Sequence, residues 1–261
     1  MGLLEHYDHS RGRAIFFDGA AFSRIDNGKV GSPKKVAGPG PEYKGFLSLS
    51  DENFLVMGDQ RPLVILRIDS QGDLTWRRTF PPSWVLPSGA ALEDGAACIA
   101  SPGYGAALLH IVRLDSHGNV QHRAEIPARR ALATAGPNGG CAILYDRGSL
   151  KHGIFNHSEF FLTALDGVFN RQWTVPVKFD SPLGGVFYLM AVSDGYIVVA
   201  EAGKVLGALF MAKYDFSGHL LWAITDSSRR APSLVAHDAN AFYLVGSEKN
   251  SHDSLSVIRG R

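Results

Sequence analysis

Apolar residues along this chain come in short runs separated by turn-forming residues, and one arrangement of runs and turns recurs. Phe54-Leu55-Val56-Met57-Gly58, Ala97-Cys98-Ile99-Ala100, Cys141-Ala142-Ile143-Leu144, Tyr196-Ile197-Val198-Val199-Ala200 and Phe242-Tyr243-Leu244-Val245-Gly246 are nearly continuous apolar stretches. Runs this short, with so little polar alternation, predict strands covered on both faces. Each follows a small turn: Asp51-Glu52-Asn53, Glu93-Asp94-Gly95, Pro137-Asn138-Gly139, Ser193-Asp194-Gly195 or Asp238-Ala239-Asn240. A first strand precedes that turn, as over Phe46 to Ser50 and Val186 to Val192. No long stretch shows the apolar period of a helix.

A third strand follows each buried run and ends at an aspartate. Leu63 to Ile68, Leu108 to Leu114, Phe160 to Leu165 and Leu209 to Tyr214 are the apolar runs that lead into Asp69, Asp115, Asp166 and Asp215, with a related phrase at Asp26. The clearest copy reads Arg67-Ile68-Asp69-Ser70-Gln71-Gly72-Asp73-Leu74-Thr75-Trp76. The aspartate is expected to open a tight turn, its carboxylate accepting backbone N–H groups two or three residues further on. Gly72, Gly118 and Gly218 stand at the turn exit, and the copies at Asp26 and Asp166 shift this glycine to Gly28 and Gly167. Trp76, Trp173 and Trp222 follow on a fourth strand, where a large ring fills the gap to the next unit. His122 and Pro33 take that place in the other two copies. Arg24, Arg67, Arg113 and Lys213 sit two residues before an aspartate, on the same strand face, and are expected to offset part of its charge.

Four short strands in a unit of roughly 40–50 residues make the blade of a β-propeller. The sequence therefore predicts an all-β fold, a single β-propeller domain over 1–261, with six blades of four antiparallel strands near 1–40, 41–84, 85–130, 131–180, 181–230 and 231–261. The last blade stops after its third strand, Leu255 to Arg259, and is either left three-stranded or closed by the N-terminal strand.

The phrase Asp-x-x-Gly-x-x-x-Trp resembles the repeat of the pyrroloquinoline-quinone-type propellers. Asp69/Gly72/Trp76 and Asp215/Gly218/Trp222 match it in full, Asp115/Gly118 and Asp166/Trp173 in part. The resemblance covers the second to fifth blades and implies a propeller scaffold rather than an activity, since the repeat also builds non-catalytic propellers. Quinone dehydrogenases of that kind have eight blades and adjacent cysteines. This chain reads as two blades shorter, and Cys98 and Cys141 are its only cysteines, so no quinone or other cofactor is expected.

Composition narrows the function further. A chain of 261 residues with 45% hydrophobic content and 29 glycines suits a packed, turn-rich β protein. A net charge of +1 gives no footprint for nucleic acid, and no run approaches a membrane span. The start, Met1-Gly2-Leu3-Leu4-Glu5-His6, lacks the basic and apolar regions of a secretory signal. Cys98 and Cys141 fall on second strands of successive blades, one residue out of register, and read as two buried free thiols. A cytoplasmic protein is the resulting expectation.

Catalytic signatures are weak. Asp51-Glu52 and Glu93-Asp94 are paired carboxylates, but both lie in equivalent turns. No nucleophile elbow or phosphate-binding loop occurs. His152 and His157, in the long connection from Asp146 to Ser158, are weak metal candidates without a third ligand nearby. The reading leans away from an enzyme, with no catalytic residue assigned.

What does stand out is a difference between blade ends. The first–second and third–fourth turns carry Asp51, Glu52, Asp69, Asp73, Glu93, Asp94, Asp115, Asp166, Asp194 and Asp215, and acids far outnumber bases there. At the other end, bases outnumber acids and the connections are longer. Arg61, Trp84, Tyr104, Arg129, Arg130, Arg229 and Arg230 fall there, and arginine with exposed-looking aromatics is the composition of a binding hot spot. The expected function is a non-catalytic interaction module that binds a protein partner through that end. A hydrolase or lyase with its site in the axial channel, among Ser48, Ser50, Tyr188 and Met190, is the first alternative, and a carbohydrate-binding propeller the second. A small molecule or glycan thus stays open as ligand.

Overall fold

The architecture comes from a computed structural model. It describes residues 3–8, 13–17, 21–26, 29–30, 32, 34–35, 43–49, 53–58, 62–71, 73–84, 87–103, 107–147, 150–151, 154–155, 159–178, 183–202, 208–226, 234–237, 242–247 and 255–260. The chain forms two compact units, Met1–Ala133 and Thr134–Arg261.

The first unit holds three antiparallel sheets. Strands β1 (Leu3–Asp8), β2 (Arg13–Phe17), β3 (Ala21–Asp26) and β4 (Lys29–Val30) follow one another, with β5 (Lys34–Lys35) also on β3. The second sheet runs β6 (Tyr43–Ser48), β7 (Phe54–Gly58), β8 (Val64–Ile68), β9 (Leu74–Thr79). The third runs β10 (Ser88–Ala91), β11 (Ala97–Pro102), β12 (Leu109–Leu114), β13 (Val120–Ile126).

In the second unit, β14 (Ala131–Ala135), whose first residues belong to the first unit, pairs with β15 (Cys141–Asp146). A two-stranded ribbon, β16 (Leu150–Lys151) and β17 (Ile154–Phe155), interrupts the sheet before β18 (Phe160–Leu165) and β19 (Arg171–Val177) complete it. The next sheet runs β20 (Leu183–Val192), β21 (Gly195–Ala202), β22 (Ala208–Tyr214), β23 (Leu220–Asp226). The last has three strands, β24 (Leu234–His237), β25 (Phe242–Ser247) and β26 (Leu255–Gly260). Among the described residues the fold is thus all-β, with four sheets of four antiparallel strands each joined in chain order. Among the described residues, no helix is long and apolar enough to cross a membrane.

Burial follows strand position within a sheet. Every residue of β7, β8, β11 and β15 is buried, whereas β9 is mostly exposed. This is the gradient the unbroken apolar runs predict for middle strands. Leu55, Met57, Leu63 and Ile65 of the second sheet pack with Ala97, Ile99, Val112 and Leu114 of the third into one core. Met190, Ile197, Val199, Leu209 and Met211 form a second core inside the fifth sheet, with Trp222 packed against it. Cys98 and Cys141 are buried and form no disulfide, as expected. Cys98 lies opposite Arg113 and Cys141 opposite Leu165, one step apart in register, which turns them to different sheet faces.

The recurring aspartate builds the turn between third and fourth strands with one geometry. Oδ1 of Asp69, Asp115, Asp166 and Asp215 accepts backbone N–H groups at 2.8–3.0 Å from Gln71 and Asp73, His117 and Asn119, Val168 and Asn170, and Ser217 and His219. The donors lie two and four residues on, not two or three, because the turn carries a bulge at its return. The pairing skips a residue there: Arg67 faces Trp76 but Ile68 faces Leu74, and Arg113 faces His122 but Leu114 faces Val120. In the copies at Asp115 and Asp215, the residue three after the aspartate donates to its carbonyl and takes the left-handed conformation, with φ +79 at Gly118 and +86 at Gly218. In the copy at Asp166 the sequence reading is overturned. Gly167 does not supply the left-handed residue; Phe169 does, with φ 65, and its N–H donates to the Asp166 carbonyl at 2.9 Å.

Candidate functional site

The repeated residues are occupied by the scaffold. Trp76 reaches from β9 to the aspartate turn of the next sheet, where its indole Nε1 donates to the Ser116 carbonyl at 3.0 Å and its ring lies against Gly118. Arg78 supports the same turn through Nε to the Gly118 carbonyl at 2.7 Å. Trp173 repeats the contact in the second unit, donating to the Phe216 carbonyl at 2.8 Å with its ring against Gly218. A Cβ on either glycine would stand 2.8–2.9 Å from the ring, so aspartate, glycine and the preceding tryptophan form one clasp between sheets.

Of the basic residues before the aspartates, Arg67 and Lys213 reach first–second turns. Arg67 is buried and donates through Nη1 to the Gly95 carbonyl at 2.8 Å, bracing the first turn of the next sheet. Lys213 does pair with an acid, Asp194 of its own sheet's first turn, at 2.7 Å.

The loop end of the third sheet gathers the more varied chemistry. The sequence marks Trp84 as an exposed anchor, and the structure corrects this. It is only 5% exposed, because the turn after Pro81 folds it back onto the sheet. Its N–H donates to the Pro81 carbonyl at 3.0 Å, and it forms a bridge with Gly103 at the end of β11. Its ring stacks on Phe80 at 4.8 Å and on His110 at 5.0 Å. His110, at the start of β12, meets Glu125 of β13 through Nδ1 and Oε1 at 3.0 Å. Arg129 and Arg130 follow in the connection to β14, Arg129 half-buried and Arg130 exposed. Here an aromatic floor of Phe80 and Trp84 carries the His110–Glu125 pair, and the two arginines follow β13 at the same strand end. Arg61, Tyr104, Arg229 and Arg230, and the metal candidates His152 and His157, lie outside the described residues.

His110 and Glu125 escaped the sequence reading. Their signal is the hairpin register: once the bulge at the Asp115 turn is known, counting back from it places residues 110 and 125 opposite each other. An acid–histidine pair is what an enzyme site would need, but this pair stands on the third and fourth strands, away from the first strand that the channel hypothesis requires. The first-strand hydroxyls act as links. Ser88 Oγ accepts the Ala133 N–H at 3.0 Å, and Thr134 Oγ1 accepts the Ala191 N–H at 3.1 Å. Of the proposed channel residues, Met190 is buried and Ser48 and Tyr188 half-buried, while Ser50 lies outside the described residues. Burial pushes the Tyr188 hydroxyl above its ordinary range and the Tyr214 hydroxyl up to about 12, so neither is a base at neutral pH. Among the described residues no group of three or more His, Cys, Asp or Glu is placed to hold a metal.

No established family profile matches the sequence, and no curated protein matches it. Solved structures do. The virginiamycin B lyase of Staphylococcus aureus superposes with a TM-score of 0.66 at 15% identity, over 98% of this chain and 84% of the lyase. The Neurospora crassa Pan2 WD40 domain gives 0.64 at 10% identity, over 94% and 73%. BBS1N, solved in complex with ARL6DN, gives 0.58 at 10% identity, over 91% and 72%. At these identities the likeness shows the fold alone. The fold is a β-propeller, and its structural neighbours include both interaction modules and enzymes.

Proposed function

We propose that this chain is a non-catalytic propeller, a single domain of six blades built on the quinone-type repeat, that binds a protein partner through the loop end of its blades. The observation that carries this reading is the division of labour within each sheet. At the turn end, aspartates, glycines and tryptophans are tied to one another in a repeated clasp. At the loop end of the third sheet, non-repeated residues stand on a rigid aromatic floor. Arg129 and Arg130 are the anchors, with His110 and Glu125 beside them and Trp84 as support beneath rather than contact. Rigid elements presenting arginine at a wet rim suit a partner with acidic side chains. The Pan2 and BBS1N neighbours have the same fold in a WD40 domain and in a protein complex. The lyase neighbours keep an axial enzyme site as the competing reading, but the described acid–histidine pair does not sit on a first strand. Cys98 and Cys141, buried and outside any disulfide, favour a cytoplasmic setting.

The test is capture from lysate by the wild type and by an Arg129→Glu/Arg130→Glu variant, each quantified by mass spectrometry. The expected result is a partner enriched by the wild type and lost at least about tenfold in the variant, with an unchanged melting temperature. Equal enrichment by both proteins removes this patch from consideration.

A further inference from the structure

The fourth sheet ends in an aromatic stack of its own. Phe161 of β18 faces Tyr145 of β15 across the ladder, and their rings stack at 5.7 Å with an interplanar angle of 23°. Arg147 follows β15 and extends the ladder, its N–H donating to the Glu159 carbonyl at 3.0 Å. Alternation along the strand puts its side chain on the same face as Tyr145. Its guanidinium carbon lies 4.4 Å from the Phe161 ring centre and 5.9 Å from that of Tyr145. Tyr145 is buried and Phe161 half-buried, whereas Arg147 is exposed. The cation is thus the open end of a stack fixed at its base, and all these residues belong to the second unit.

Glu159 is exposed and directly across the ladder from Arg147, where unlike charges commonly pair. Among the described residues, however, neither it nor any other acid meets the guanidinium, which lies over Phe161 instead. A guanidinium set over a ring keeps the N–H groups of its edge available, and that edge fits a carboxylate through two parallel bonds. Contact with the ring also removes side-chain freedom in advance, so less is lost on binding. The third sheet shows such a stack complete: Phe80 and Trp84 carry His110, and Glu125 meets the His110 ring nitrogen at 3.0 Å. In the fourth sheet no acid among the described residues takes the corresponding place.

We propose that Arg147 is a carboxylate-binding residue, and that an aspartate or glutamate side chain of a protein partner takes the place on it that Glu125 takes on His110. The source of the carboxylate rests on the function proposed above. Glu159 decides between anions. Its charge opposes any anion at this place, and a doubly charged phosphate more than a singly charged carboxylate. The same opposition keeps a single carboxylate contact in the millimolar range.

The test is a nitrogen–proton correlation spectrum of the arginine side chains in the full chain, titrated with the peptide acetyl-Gly-Glu-Gly-amide. The matching glutamine peptide and inorganic phosphate serve as controls. The Arg147 signal, identified by its loss in Arg147→Lys, should move and saturate with the glutamate peptide and stay in place with the glutamine peptide. Phe161→Leu keeps the charge and removes the ring, and should weaken binding at least about threefold. Glu159→Gln, a surface change that leaves the fold alone, should tighten it by about the same factor. An unmoved Arg147 signal, equal responses to the two peptides, tighter binding of phosphate than of the glutamate peptide, or a Glu159→Gln variant that binds no better overturns the proposal. So does a folded Phe161→Leu variant that binds like the wild type. Capture lost in Arg129→Glu/Arg130→Glu with no response at Arg147 sinks this inference and keeps the proposed function; a response at Arg147 with capture unchanged does the reverse for the Arg129–Arg130 patch.

Discussion

Replacing Gly218 by alanine loads one turn in two separate ways. With φ +86, Gly218 is in the left-handed region, which costs an L-residue about 1–2 kcal/mol. The added Cβ also lands 2.9 Å from the Trp173 ring, so the ring must withdraw and its N–H loses the Phe216 carbonyl. A lost hydrogen bond is worth about 0.5–1.5 kcal/mol, and the packing disturbed around a half-buried indole about 1 kcal/mol more. Gly218→Ala should therefore cost about 3 kcal/mol, read as a shift in urea midpoint at constant slope. In a Trp173→Ala background the ring is absent and only the backbone penalty remains, about 1–2 kcal/mol. The four proteins close a double-mutant cycle with a coupling of about 1–2 kcal/mol. If Gly218→Ala costs the same with and without Trp173, to within about 0.5 kcal/mol, the glycine serves its own turn alone and the clasp between sheets is wrong.

The Tyr196 hydroxyl is buried with no hydrogen-bond partner among the described residues, so Tyr196→Phe should leave stability unchanged or raise it by about 1 kcal/mol; a clear loss in thermal denaturation would reveal a partner for that oxygen. Asp215 is held below the ordinary carboxylate range, chiefly by the His219 N–H, with the His219 side chain and the Ser217 N–H adding to it. A carboxyl with a depressed folded pKa stabilises the native state above its unfolded value and loses that contribution as pH falls through the folded value. Asp215→Asn should accordingly flatten the acid limb of a stability–pH curve below about pH 4, and an acid limb of unchanged slope would assign the titration to other groups.

Strand positions were legible because burial on both faces demands an unbroken apolar run, and Phe54–Gly58, Ala97–Pro102 and Cys141–Asp146 leave little else to build. The aspartate turn was legible for the same local reason. What was not legible depends on partners distant in sequence. Trp84 lies in the proline-flanked segment Pro81-Pro82-Ser83-Trp84-Val85-Leu86-Pro87, and its burial rests partly on a stack with His110 and a bridge to Gly103, both distant in sequence. Phe169 takes a left-handed conformation that nothing local favours in a bulky residue, while the nearby Gly167 offered a misleading substitute. Arg67 looked like a counter-ion for Asp69 because the two are neighbours in sequence, yet its guanidinium serves a carbonyl of the next sheet. The rim of His110 and Glu125 needed the register of a bulged hairpin, which a single sequence fixes only when the turn geometry is already known.

The turn aspartates show why an acidic end need not be a binding end. Three of the four carboxylates are filled by their own hairpins: beyond the two backbone bonds to Oδ1, Oδ2 meets the Asn119 amide in Asp115, the Gln172 amide in Asp166 and the His219 ring in Asp215. A cation needs several oxygens aimed at one point, and these are spread one to a sheet and aimed at their own backbones. The charge nonetheless persists. Burial raises the Asp115 pKa, but the bonds from Asn119 and His117 outweigh it and leave a net lowering, so this carboxyl stays ionised at neutral pH. In the second and third sheets the aspartate turns and the Arg129–Arg130 connection stand at opposite ends of the strands. The turns thus add negative charge at one end of these strands without offering an open ligand site, and on the proposed function that charge would turn an acidic partner toward the opposite end.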